Sequence, residues 1–145
     1  MPRIDVDSVR EHLAALEATL QELQGMTTWS VAQLTTDTVH LWALAYGFQL
    51  AAQNVLDISS HIGSALRLGA APEDYHGAIV ALGETGVLDA DFARVLAPLA
   101  GLRNILVHGY LRLEAERLHE ALGHLGDLRR FIADIHAFLE ANPGL

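Results

Sequence analysis

The 145-residue chain contains no cysteine and no lysine, and it has only four prolines and 6% aromatic residues. Without cysteine, a disulfide scaffold, an iron–sulfur cluster, a thiolate zinc site and a thiol nucleophile are all excluded. Without lysine, every fixed side-chain cation is a guanidinium. Nine arginines face eighteen Asp and Glu residues, a formal net charge of −9. An acidic chain repels polyanions at long range, which argues against a non-specific nucleic-acid coat and against DNA as a partner. A local phosphate site built from a few arginines remains open. Six of the nine (Arg94, Arg103, Arg112, Arg117, Arg129 and Arg130) fall between residues 94 and 130. The opening residues, Met1 to Asp5, carry no basic-then-apolar leader pattern, so a cytoplasmic location is expected.

A hydrophobic share of 51% is enough to bury a sizeable core. The length suits one domain, residues 1–145, with no repeat, low-complexity tract or linker. Ala, Leu and Glu dominate and apolar residues recur at helical spacing, so the expected fold is an all-α, antiparallel up-and-down bundle. Ser8 and Glu11 have the spacing of a capping box, and Val9, Leu13, Leu16, Leu20 and Leu23 follow as the buried stripe of a first helix closed by Gly25. Residues 26–36 read as a connector that folds Trp29, Val31 and Leu34 onto the core. The second helix is expected from Asp37 to Leu68. Its stretch Val39–Leu56 is uncharged, but His40, Gln49, Gln53 and Asn54 argue against a membrane span. A helix this apolar all round belongs at the centre of a bundle or against a second subunit. A loop at Gly69–Asp74, a short helix at Tyr75–Glu84, a fourth helix from Asp89 to His108 with Pro98 inside it, and a last helix at Glu114–Asn142 complete the expectation.

The chemistry concentrates in Gly101-Leu-Arg-Asn-Ile-Leu-Val-His-Gly-Tyr110. Arg103 and Asn104 interrupt an apolar run. His108 falls at a helix end, with Gly109 free to take a positive φ. Arg103 and Tyr110, seven residues apart, share a helix face, as do Asn104 and His108. Arg103 and His108 themselves lie about 140° apart on an ideal helix, so a break at Gly109 or a partner subunit is needed to bring them together. On the second helix Gln49, Gln53, Asp57 and His61 recur every four residues and form a polar stripe. Asp57 is its carboxylate, suited to orienting Arg103 or His108.

Arg103-Asn-Ile-Leu-Val-His108-Gly-Tyr110 resembles the Arg-x-x-x-x-His-x-Tyr motif of HEPN-domain ribonucleases, and the surrounding phrase is similar to the HepT toxins, partners of minimal nucleotidyltransferase (MntA-type) antitoxins. The resemblance implies an HEPN-like bundle, a two-fold homodimer, and metal-independent cleavage of RNA with no cofactor. His108 would transfer protons and Arg103 would hold phosphate oxygens, roles suited to an imidazole and a guanidinium. Asn104, Asp57 and Gln53 would support them. Tyr110 would be the acceptor for AMP transferred by an MNT-domain nucleotidyltransferase antitoxin, adding bulk and negative charge beside Arg103. The alternative is a catalytically inert HEPN module that binds a nucleotide or helps a nucleotidyltransferase. A third reading, a helix-bundle metalloenzyme, rests on the i,i+4 pairs Asp57/His61 and Glu120/His124 and matches no zinc signature.

Overall fold

The computed structural model describes residues 4–66, 74–109 and 114–144, which are helices joined by short turns and bends. The expected end of the second helix at Leu68, most of the loop after it, Arg112 and Tyr110 lie outside these residues.

Helix α1 spans Val6–Gly25, with Val9, Leu13, Leu16, Leu20 and Leu23 buried as one stripe. Its cap is Asp5, whose carboxylate accepts the Ser8 N–H, and not Ser8 as expected. Both are good cap residues three positions apart, and the aspartate takes the earlier turn. The connector holds a short helix, α2 (Val31–Thr36), opened by a reciprocal capping box between Ser30 and Gln33. Leu34 is fully buried there and Trp29 packs on the core.

Helix α3 (Thr38–Ala65) begins at the Asp37 cap, as the sequence suggests. The carboxylate of Asp37 accepts the backbone N–H groups of Val39 and His40 and touches His40 Nδ1 at 2.6 Å. The His40 backbone hydrogen bond holds this carboxyl below its ordinary range. Helix α3 is the central rod, packed against α1, α2, α4 and α6. Its apolar excess divides in two. Leu44, Phe48, Ala51, Val55, Leu56, Ile58 and Ile62 enter the core, while Val39, Trp42, Tyr46 and Leu50 form an exposed stripe.

Helix α4 (Tyr75–Glu84) is capped by Asp74 and ends before Gly86, whose φ of +84° requires glycine. The expected fourth helix is two helices, α5 (Ala90–Leu96) and α6 (Leu99–His108). Pro98 cannot donate to the preceding turn, so the chain breaks there and α6 restarts. The last expected helix is also divided. Helix α7 (Ala115–Ala121) tightens through a 3-10 turn at Leu122–His124 into α8 (Leu125–Ala141), where Gly123 and Gly126 weaken helix propensity. The buried stripe Leu128, Ile132, Ile135 and Leu139 of α8 closes over α1.

Arg129 and Arg130 of α8 are surface groups. Arg130 lies over the Phe92 ring at 4.3 Å and near Asp89 and Asp134, and Arg129 donates to Gln24. Among the described residues no helix is long and apolar enough to cross a membrane.

Candidate active site

Helix α6 carries Arg103 and His108, and α3 faces it across the bundle. Leu106 and Ala100 are buried on the inner face of α6, which fixes its rotation. That rotation aims Arg103 at the polar stripe of α3. Arg103 is half-buried, and its Nε donates to Gln53 Oε1 at 2.9 Å. The amide of Gln53 donates in turn to Asp57 Oδ1 at 2.8 Å. The carboxylate therefore orients the guanidinium through an intervening amide. This chain of bonds fixes the Gln53 amide, because its nitrogen must face the carboxylate and its oxygen the guanidinium.

Arg103 Nη1 reaches Asn104 Oδ1 at 3.3 Å, and its Cζ lies 5.8 Å from the centre of the Tyr75 ring. These contacts occupy two of the guanidinium's N–H donors and leave the others for a ligand. The planar fork suits two oxygens of one phosphate.

His108 occupies the last turn of α6 and is exposed. Among the described residues no hydrogen bond joins it to Arg103, whose contacts are Gln53, Asn104 and Tyr75. Gly109, though free to take a positive φ, has a φ of −93°. Glycine is required there for a different reason. Its N–H bonds Ile105 O at 2.6 Å, and a Cβ would fall 2.5 Å from that same oxygen. Tyr110, the expected modification site, lies outside the described residues.

The remaining members of the α3 stripe divide. Gln49 stands beyond the Arg103 network. His61 Nε2 accepts the Asp5 N–H at 3.0 Å, joining α3 to the start of α1. Two neighbours of the network had no mark in the sequence: His12 of α1, with Nε2 3.8 Å from Asp57 Oδ2, and Tyr75 at the start of α4. Neither shares a helix with the motif, so spacing along the chain could not reveal them. No three His, Asp or Glu side chains among the described residues are placed to share a metal ion. Glu120 and His124, the other i,i+4 pair, sit on either side of the 3-10 turn's start.

A family model for HepT-like ribonucleases matches residues 16–135. The tRNA nuclease HepT of Aphanizomenon flos-aquae (strain 2012/KM1/D3) is 32% identical over 92 residues, which are 63% of this chain and 62% of that relative. The matched part thus spans less than two thirds of the relative's length. Two solved structures share the fold. The cytosolic protein of unknown function YutE from Bacillus subtilis superposes with a TM-score of 0.84 at 20% identity, over 100% of this chain and 97% of that one. The tri-AMPylated HEPN toxin of Shewanella oneidensis, solved in complex with an MNT antitoxin, gives 0.78 at 22% identity, over 89% and 96%. With the family model spanning α6 and its polar partners on α3, the chain belongs to the HepT-like ribonuclease family.

Proposed function

We propose that the protein is the toxin of a HEPN/MNT pair, a metal-independent endoribonuclease that acts as a two-fold homodimer and is silenced by AMP transfer to Tyr110. The observation that carries this reading is the half-buried Arg103, held by Gln53 with donors to spare, on the same helix as an exposed His108. An RNA 2′-hydroxyl attacks the adjacent phosphate. The new 2′-O–P bond forms as the P–O5′ bond breaks, one base takes the 2′ proton, and one acid returns a proton to O5′. Arg103 binds the phosphate oxygens as charge develops on them. His108 serves as base or acid.

One chain supplies one imidazole, while the reaction uses both a base and an acid. A two-fold axis beside α6 doubles every group. The exposed stripe of α3 offers the surface for it: Val39 is 70%, Trp42 63% and Tyr46 60% exposed. Exposed apolar residues in a contiguous stripe mark an interaction surface.

Three measurements test the reading. Expression of the chain alone halts growth, and His108→Ala relieves the arrest; equal toxicity of the two removes the enzymatic reading. Purified protein cleaves RNA in EDTA, and loss of cleavage with chelator followed by rescue with zinc overturns metal independence. Incubation with the partner transferase and ATP raises the intact mass by AMP units, and Tyr110→Phe abolishes the gain.

A further inference from the structure

Beside the Arg103 network lies a cleft of about 270 Å³ between α1, α3 and the start of α4. Its wall includes Ser8 and His12 from α1, Asp57, Ser60 and His61 from α3, and Tyr75 from α4. Two of these residues also border the phosphate site. Tyr75 lies under Arg103, and Asp57 reaches Arg103 through Gln53. The cleft therefore adjoins the phosphate site through these two side chains.

The chemistry of the wall follows from its hydrogen bonds. His12 Nδ1 lies 2.8 Å from Ser8 O. A carbonyl only accepts, so Nδ1 carries the proton and Nε2 of the neutral ring is an acceptor. That nitrogen stands 3.8 Å from Asp57 Oδ2, too far for a hydrogen bond between them. The Asp57 Oδ1 atom is already taken by Gln53. The wall thus sets two acceptors side by side, an imidazole nitrogen and a carboxylate oxygen. Ser60 Oγ has no hydrogen-bond partner among the described residues. Among the described residues the cleft is lined by a carboxylate and by no arginine, which disfavours a second phosphate there.

Resting on the ribonuclease reading above, we propose that this cleft binds one base of the RNA next to the phosphate held by Arg103, and that it favours bases carrying an exocyclic amino group over uracil. Paired acceptors match the hydrogens of an amino group, as a carboxylate does on cytosine N4. Uracil offers a single N3–H between two carbonyl oxygens, so it satisfies at most one of the paired acceptors and sets a carbonyl against the other. Tyr75 adds an aromatic side chain to the cleft wall, a residue type used against bases in single-stranded RNA recognition.

The test uses full-length protein carrying His108→Ala, titrated at about pH 8, above the range of a free imidazole. The probes are CMP, AMP and UMP, followed by the imidazole resonances of His12 and His61. CMP and AMP shift both histidines saturably and bind about tenfold tighter than UMP. His12→Leu, which removes an acceptor, brings the ratio close to one; His12→Gln, which restores an acceptor oxygen, recovers it. Equal affinities for the three nucleotides, or saturation without movement of His12 and His61, overturn the proposal. The two readings fail separately. Wild-type protein that cleaves RNA while its His108→Ala form binds the three nucleotides equally retains the ribonuclease and loses the base site. Base-selective binding in a protein that cleaves no RNA retains the base site and loses the ribonuclease.

Discussion

The Nε of Arg103 donates to Oε1 of Gln53 at 2.9 Å across fifty residues of sequence. The motif arginine is thus tied to the central helix by its most interior nitrogen, and three of the four N–H donors on its outer nitrogens stay available. A free arginine side chain surrenders rotamer entropy when it grips a phosphate. One already held surrenders less, and its charge is aimed before substrate arrives. The Gln53–Asp57 bond extends this restraint by one more turn of α3.

Gln53 is accordingly a positioning residue. Gln53→Leu removes the acceptor and releases the guanidinium, and turnover is expected to fall on the order of tenfold to a hundredfold. Gln53→Glu keeps an oxygen toward Arg103 and strengthens it with charge, but it loses the amide that Asp57 needs. It is expected to retain more activity than Leu when Asp57→Asn is added, because the new amide can donate to the glutamate. Cleavage kinetics of the single and double variants at matched melting temperature check this. A purely structural glutamine would show no rescue.

Most of the helix plan was legible because its signals are local. Asp37, Asp74 and Asp89 cap α3, α4 and α5, and the apolar stripe of α1 matches its buried face. The misses are also physical. Asp5 and Ser8 are competing caps on the same turn. Pro98 could kink a helix or divide it, and only packing decides. The weak helix formers Gly123 and Gly126 tighten one turn without ending the rod. At the candidate site the four-residue spacing set Gln49, Gln53, Asp57 and His61 on one stripe of α3; Gln53 and Asp57 lie in the network around Arg103, as does Asn104 of the motif itself, while His61 bonds Asp5. The spacing could not name His12 or Tyr75, because contacts between helices leave no periodic mark on either one.

Gly83 offers a test of the packing beneath the site. A Cβ at this position would lie 2.6 Å from Ala93 Cβ, where α4 crosses α5. Gly83→Ala gains about 1 kcal/mol of helix propensity. Overpacking costs about 1–3 kcal/mol, and Ala93 is buried with little room to retreat. The net expectation is destabilisation, read as a lower denaturation midpoint at unchanged slope. A midpoint that rises shows that the two helices separate freely.

The Asp37 cap gives the stability a defined acid dependence. Its carboxyl is held below 3.8 by the backbone N–H of His40, so the folded state binds the proton more weakly than the unfolded chain. The cap's contribution is fully present above 3.8 and disappears as pH falls through the lowered folded value. Asp37→Asn keeps a capping oxygen that does not titrate. Wild type is expected to melt higher than Asp37→Asn near neutral pH, and the gap is expected to close under acid. Thermal melts of both proteins across the acid range check the sign; a gap that widens under acid contradicts it.

One motif arginine and one motif histidine per chain lead to the sharpest expectation for the proposed dimer. Arg103→Ala and His108→Ala should each lose about 10²–10⁴-fold in cleavage, the usual scale for removing a general acid or base or its electrostatic partner. In a shared two-chain cleft, a mixed dimer of the two variants still holds one arginine and one histidine. Exchange of subunits between the two inactive proteins should then raise cleavage about tenfold or more above either alone, a small recovery on that scale. Trp42→Glu on both chains should prevent the recovery, because it places a charge in the exposed α3 stripe without touching the core. Light scattering reports whether that variant is monomeric. Dimeric protein with no complementation means that each site is complete within its own chain, and the two-fold cleft is then wrong.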